Sequence, residues 1–348
     1  MAELCSQLPR ISLTELPTPL EEAPRLTAAL NGPMLYIKRD DVCGLCAGGN
    51  KVRVMEYAMG AVLEEGCDTV IGSASTQSNK LREIAAAASR LGLRAVLLLQ
   101  DDPPTEAEQG NLLLFHLLGS EVRYLGSQCS SAQVLDEQNR LQEQLAQQGH
   151  RAAVMDRRLS YGAAATAAYV TAAEELLAQL RDQELDPDLI YVTVGAGMTL
   201  AGLVLGLKHL GCRARVVGVS AESGAQDLVD PIVDFAERTA RLIGLSTLVE
   251  SADFDLVDDH VESGYGVVTA PIADTIRLVA RQHGMVLDPV YNGKTMLSLV
   301  EHIRAGRITP DQSVVYMNTG GAPALFAHNS ELMKLAAEPG NGASPGKS

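Results

Sequence analysis

At 348 residues and 46% hydrophobic content, the chain can bury the cores of two modest domains or of one large one. Its formal net charge of −15 argues against partners that need a clustered basic face, nucleic acid and anionic membrane among them, and leaves a small-molecule site open. No apolar run approaches the roughly 20 residues of a membrane span, and Met1-Ala2-Glu3-Leu4-Cys5 lacks the basic-then-apolar pattern of a secretory signal, so the expectation is cytoplasmic.

Short apolar runs alternate with amphipathic ones along the chain. Strands are expected at residues 34–38, 69–72, 94–99, 121–125, 189–194, 214–219 and 313–318. Helices are expected at 50–65, 78–91, 107–118, 132–148, 164–180, 199–210, 271–283 and 293–304, where apolar residues recur every three or four positions. This alternation predicts an α/β fold with parallel strands. Residues 50–157 hold several strand–helix units and read as a small domain set within a large one made of 1–49 and 158–336. Residues 337–348, rich in Gly, Pro and Ser, read as a disordered tail. The cleft between two such domains is where a small ligand binds.

Taken in chain order, the first unusual sequence is Cys43-Gly44-Leu45-Cys46, which has the spacing of half a zinc site or of a redox pair. No second Cys/His pair accompanies it, so no metal is expected, and the six scattered cysteines read as free thiols. Gly48-Gly49-Asn50-Lys51 then delivers a lysine at the start of a helix. The positive end of a helix disfavours the ammonium, which makes the amine a better nucleophile; a solvated surface lysine is the alternative. Thr76-Gln77-Ser78-Asn79-Lys80 gathers hydrogen-bonding side chains and open N–H groups at another helix start, where a carboxylate docks or where Ser78 is simply an N-cap. Gly195-Ala196-Gly197-Met198-Thr199 follows an apolar strand and opens a helix, the pattern of an anion cradle or of a tight strand–helix turn. Gly264-Tyr265-Gly266 and Asp288-Pro289-Val290-Tyr291-Asn292-Gly293-Lys294 each set a tyrosine in glycine- or proline-marked backbone, for hydrogen bonding, proton transfer or nucleophilic attack, or for structure alone. Asn318-Thr319-Gly320-Gly321 follows the last strand, where open α/β sheets carry ligand loops.

Taken together, these motifs resemble the pyridoxal-phosphate enzymes that include D-cysteine desulfhydrase, L-cysteate sulfo-lyase and aminocyclopropane-carboxylate deaminase. The resemblance spans residues 16–328 and rests on Leu16-Pro17-Thr18-Pro19-Leu20, Lys38-Arg39-Asp40-Asp41, Gly48-Gly49-Asn50-Lys51, Gln77-Ser78-Asn79, Leu287-Asp288-Pro289-Val290-Tyr291 and Thr319-Gly320-Gly321-Ala322-Pro323. It implies a two-domain α/β fold of the second pyridoxal type, a homodimer, and pyridoxal 5'-phosphate held in the interdomain cleft. It further implies that Lys51 bonds the cofactor, that Asn79 meets its phenolic oxygen, and that Gly195, Ala196, Gly197, Met198 and Thr199 hold its phosphate. Ser78, Tyr265 and Tyr291 would act on a small amino acid, with Gln77, Asn79, Lys80 and Tyr161 on the substrate side and Asn292 and Thr319 near the pyridine nitrogen.

Some positions depart from the family's pattern. Thr319 fits the desulfhydrase-like branch, whereas Asn292 stands where the deaminases carry Glu and the desulfhydrases Ser or Thr. A neutral amide holds a pyridine proton less firmly than a carboxylate, which argues against ring opening. Lys80 stands where His or Gln is usual, and Arg157-Arg158-Leu159-Ser160-Tyr161 replaces a Gly-Gly-Ser-Asn-Pro-like loop, so an acidic substrate such as cysteate is expected unless these charges are only solvated. The expected reaction is β-elimination to a keto acid and ammonia. Ring-opening deamination, racemisation, β-replacement and a non-catalytic cofactor carrier or amino-acid sensor are the alternatives.

Overall fold

The computed structural model describes residues 4–105, 109–155, 162–261, 264 and 266–337. In these residues the strands are β1 (Leu20–Glu22), β2 (Met34–Arg39), β3 (Thr69–Ala74), β4 (Arg94–Leu99), β5 (Glu121–Tyr124), β6 (Ala152–Val154), β7 (Leu189–Val194), β8 (Arg215–Ser220), β9 (Phe254–Val257) and β10 (Ser313–Asn318). They form a six-stranded sheet of order β1-β2-β10-β7-β8-β9 and a four-stranded sheet of order β5-β4-β3-β6. Every pairing is parallel except the antiparallel β1–β2 edge, so the expected parallel α/β architecture holds with one short exception. Each of the seven expected strands is present.

The helices are α1 (Pro24–Leu30), α2 (Asn50–Glu64), α3 (Asn79–Leu91), α4 (Asn111–Leu117), α5 (Ser131–Gln147), α6 (Gly162–Asp182), α7 (Met198–His209), α8 (Ala225–Ile243), α9 (Ala270–His283), α10 (Asn292–Arg304), α11 (Ala322–Ala327) and α12 (Asn329–Ala337). Side chains alternate across the pleat of the large sheet and both faces are covered. Leu35, Ile37, Tyr191, Val217, Val314 and Tyr316 join a core with α1, α9 and α10. Their neighbours Tyr36, Ile190, Val192, Val216, Val315 and Met317 face α2, α6, α7 and α8. That second core runs on into the small sheet through Val70, Leu97 and Leu99, under Leu81 and Ile84 of α3. The opposite face of the small sheet, Ile71, Val96 and Leu98, packs on Leu141 and Leu145 of α5.

The strands of the small sheet all fall between residues 69 and 154, and those of the large sheet lie outside that stretch. Helix α2, which precedes β3, packs chiefly on α6 and less on α3, and so joins the two halves. Among the described residues no helix is long and apolar enough to cross a membrane, no group of side chains could hold a metal ion, and no disulfide joins the cysteines. Of the expected features, Tyr161, Tyr265, residues 107 and 108 of a helix and residues 338–348 of the tail lie outside the described residues.

Candidate active site

Lys51 is the second residue of α2, whose N-cap is Gly49. The turn before it is fixed by its neighbours: the Gly49 N–H donates to the Asp40 carbonyl (3.0 Å) and the Asn50 N–H to the Thr319 carbonyl (2.9 Å). Gly49 and Gly320 lie so close that a Cβ on Gly320 would fall 2.6 Å from the Gly49 Cα, which is why both positions require glycine. Behind the turn, Arg53 donates to Asp40 (2.8 Å) and to Glu175 (2.9 Å), Tyr169 donates to Asp40 (2.6 Å), and Lys38 reaches Glu175, Gln179 and the Thr18 carbonyl. Burial works against ionisation of Glu175, yet Arg53 and Lys38 outweigh it and pull its carboxyl down to about 2. This buried charge network ties the first turn of α2 to β2 and α6.

Helix α3 starts with Ser78, whose hydroxyl accepts from the Leu81 N–H (3.3 Å) while also lining the central cavity. Asn79 follows. Its Oδ1 accepts from Arg82 (2.7 Å) and from the Asn111 amide (3.0 Å), which fixes the carboxamide and leaves Nδ2 as the donor toward the cavity. Arg82 is fully buried and also donates to the Gly48 carbonyl (2.8 Å), so one guanidinium braces both the lysine turn and Asn79. Its neighbour Glu83 is pushed up to about 8 by burial in spite of Arg82. Gln77 does not line the cavity. Its amide accepts from the Asn111 N–H (2.9 Å) and donates to the Gln109 carbonyl (3.1 Å), which makes it a brace for α4.

The glycine loop after β7 opens α7 with Gly197 at φ +92°, a left-handed conformation of the kind in which successive N–H groups can converge on an anion. Residues 195–199 all line the cavity. The Thr199 hydroxyl accepts from Asn50 Nδ2 (3.0 Å), which joins the N-termini of α2 and α7 and leaves its own proton to donate. Thr193 also lines the cavity, and its buried hydroxyl finds no partner among the described residues. Such an orphan in a polar recess suits a polar ligand.

On the far side, the Asp288 carboxylate accepts from the N–H groups of Val290 (2.9 Å), Tyr291 (2.8 Å) and Asn292 (2.9 Å), which fixes the turn that carries Tyr291. Complete burial raises the Asp288 pKa against the pull of those donors. Asn292 departs from the expectation that it faces the cofactor. It is fully buried and does not line the cavity: Nδ2 donates to Asp288 (2.8 Å) and the Gly320 carbonyl (2.5 Å), and Oδ1 accepts from the N–H (3.0 Å) and hydroxyl (3.2 Å) of Thr319. Thr319 is thus the residue presented to the cavity, with its proton turned toward Asn292.

The cavity encloses about 670 Å³, within the range of small-molecule sites, and brings together Lys51, Ser78, Asn79, Lys80, the 195–199 loop, Tyr291 and Thr319. The sequence reading omitted Arg82, Asn111, Thr193, Gln138 and Glu222. Glu222 lines the cavity beside Gly195, on which a Cβ would meet both Glu222 Oε1 and Tyr291 Cε1 at 3.5 Å. Buried Lys294 donates to the Ala221 (2.9 Å) and Gly264 (3.0 Å) carbonyls and ties the Glu222 loop to the one before Tyr265. Lys294 closes the tyrosine-turn motif of the sequence, whereas nothing in sequence marks Glu222, whose neighbours meet it only in the fold.

Residues 11–320 match the family described as pyridoxal-phosphate dependent enzyme. The chain is 36% identical over 331 residues to D-cysteine desulfhydrase of Klebsiella pneumoniae (strain 342), an alignment covering 94% of this chain and 98% of that relative. It is 36% identical over 334 residues to D-cysteine desulfhydrase of Salmonella newport (strain SL254), covering 94% and 98%. Among solved structures, one described as an ACC deaminase homologue superposes with a TM-score of 0.85 at 32% identity, covering 95% of this chain and 98% of that one. Threonine deaminase isoform 2 from Solanum lycopersicum shares the fold, with a TM-score of 0.65 at 19% identity over 93% of this chain and 84% of that one.

Proposed function

The chain belongs to the family of pyridoxal-phosphate dependent enzymes, and on that premise we propose that it removes the β-substituent of a small amino acid and releases a keto acid and ammonia. The residues at the site fit the cofactor. Within this reading Lys51 bonds its aldehyde, the N–H groups of residues 195–199 and the Thr199 hydroxyl hold its phosphate, Asn79 Nδ2 donates to its phenolic oxygen, and Thr319 meets its ring nitrogen. Bound there, pyridoxal phosphate supplies the electron sink that makes the α-proton of an amino acid acidic.

The chain's own residues do the rest. The start of α3, with Ser78, receives the substrate α-carboxylate on open N–H groups and a hydroxyl. With the substrate bound, the amine of Lys51 would be the base that removes the α-proton. Tyr291, beside Gly195, holds a proton for the departing β-group, and Tyr265 joins it on the strength of the resemblance. The same reading takes the enzyme as a cytoplasmic homodimer.

One observation supports elimination over ring opening: Thr319, which lines the cavity, has its hydroxyl held by neutral Asn292, and in this reading that hydroxyl, not a carboxylate, faces the ring nitrogen. A neutral partner leaves the ring nitrogen without a fixed countercharge, a weaker sink that suits expulsion of a good leaving group better than C–C cleavage. The test is incubation of the cofactor-loaded protein with D-cysteine, L-cysteate, 3-chloro-D-alanine and aminocyclopropane carboxylate, with keto acid and ammonia measured. Turnover of a β-substituted substrate is expected; release from the cyclopropane alone, or from none, contradicts the proposal.

A further inference from the structure

The cavity extends past the cofactor residues into a lobe built by the small sheet. Its walls are the end of β3 at Ser73, the start of α3 at Lys80, and the first turns of α5, where Ser131, Val134 and Gln138 line it. Gln138 is only 1% exposed, in the middle of an otherwise apolar buried helix face, and a glutamine there needs a polar reason. Its Nε2 donates to the Ser73 hydroxyl (2.8 Å), while its Oε1 is buried with no partner among the described residues. Since the Ser73 hydroxyl can accept or donate, the amide can also turn over and offer its NH2 group to a ligand.

Two features set the sign of that ligand. The Lys80 ammonium lines the same lobe and donates to the Ser73 carbonyl (3.0 Å), so a positive charge and the glutamine amide converge on one residue. The 17-residue α5, capped by Ser130, directs its N-terminal first turn at the lobe and adds partial positive charge. The acidic member of the described lining, Glu222, belongs to the wall of the large sheet beside Gly195. Val134 and Leu135 supply apolar contact for a methylene stem.

We propose that this lobe, with Lys80, Gln138 and the start of α5, is a side-chain subsite for amino acids that carry an anion on or beyond the β-carbon: a carboxylate, sulfonate or phosphate. It rests on the reading that the substrate amine meets Lys51 and its α-carboxylate the start of α3. The anion selects the substrate by its charge-assisted bonds to Lys80, and Gln138 orients it.

Aspartate and asparagine, nearly equal in shape and different in side-chain charge, test it. The visible absorption of the cofactor-loaded protein is titrated with both enantiomers of each, for the wild type, Lys80→Gln and Lys80→Arg. The wild type is expected to bind one aspartate enantiomer about tenfold more tightly than the matching asparagine, Lys80→Gln to lose that ratio, and Lys80→Arg to keep most of it. Equal binding of the two by the wild type, which would leave Lys80 to the α-carboxylate, overturns the subsite, as does a ratio that survives Lys80→Gln. If no amino acid of either hand shifts the band, the underlying reading of the amine and α-carboxylate positions falls together with the subsite.

Discussion

Thr319 and Asn79 illustrate how a side chain's partners decide what it offers a ligand. Asn79 would present either an oxygen or an NH2 group if its amide could turn; Arg82 and Asn111 both hold Oδ1, so the cavity meets a donor. Replacing Asn111 by Ala removes one of these locks, and cofactor titration is expected to show affinity weakened about three- to tenfold, the value of one hydrogen bond. An unchanged dissociation constant would mean that Arg82 suffices. Glu83, beside Arg82, gives a pH signature. Its folded pKa of about 8 lies above the ordinary 4.5, so between those values the folded state keeps a proton that the unfolded chain has released, and stability falls as pH rises across that window and levels off above it. Glu83→Gln removes the group, and its denaturant midpoint is expected to fall less steeply with pH than that of the wild type. Parallel profiles would contradict the raised pKa.

At the scale of elements, the site is an assembly of helix starts held from behind. The Arg53–Asp40–Glu175–Lys38 network fixes the first turn of α2 from the protein interior, and breaking a buried network leaves its remaining charges without partners. Arg53→Met is expected to cost about 3–5 kcal/mol in urea unfolding, and a loss below about 1 kcal/mol would show that the network does not anchor α2. The same elements show what was legible in the sequence. Seven strands were, because apolar runs between glycine-marked turns leave few other readings. Strands β1 and β6 have three residues, too short for a period to register, and β9, as long as the expected β5, is interrupted by Asp255 between acidic flanks. Helix α8 has 19 residues with Leu228, Ile232, Phe235, Ala236 and Ile243 on its buried face, yet Pro231 inside it and acidic residues around it hide the pattern. Glycine turns and helix starts gave away Lys51, Ser78 and the 195–199 loop. Asn292 and Gln77 could not be placed, because neighbours remote in sequence decide that each braces the cavity from outside it.

For the molecule as a whole, two sheets, parallel but for the β1–β2 edge, meet so that the N-termini of α2, α3 and α7 and the loop after β10 surround one cavity, with contributions from both halves of the chain. A ligand gripped by both halves stabilises the folded state by mass action, so cofactor at about 100 times its dissociation constant is expected to raise unfolding free energy by about 2.7 kcal/mol. A denaturation midpoint indifferent to cofactor would deny that it binds the folded chain at this cavity. In the proposed reading, the amine of Lys51 at the start of α2 is the point where cofactor and chain are joined. Borohydride reduction of the cofactor-saturated protein, followed by peptide mapping, tests this directly: the account predicts a pyridoxyl group on the peptide that carries Lys51, and an unmodified Lys51, or a label on another lysine instead, would contradict it.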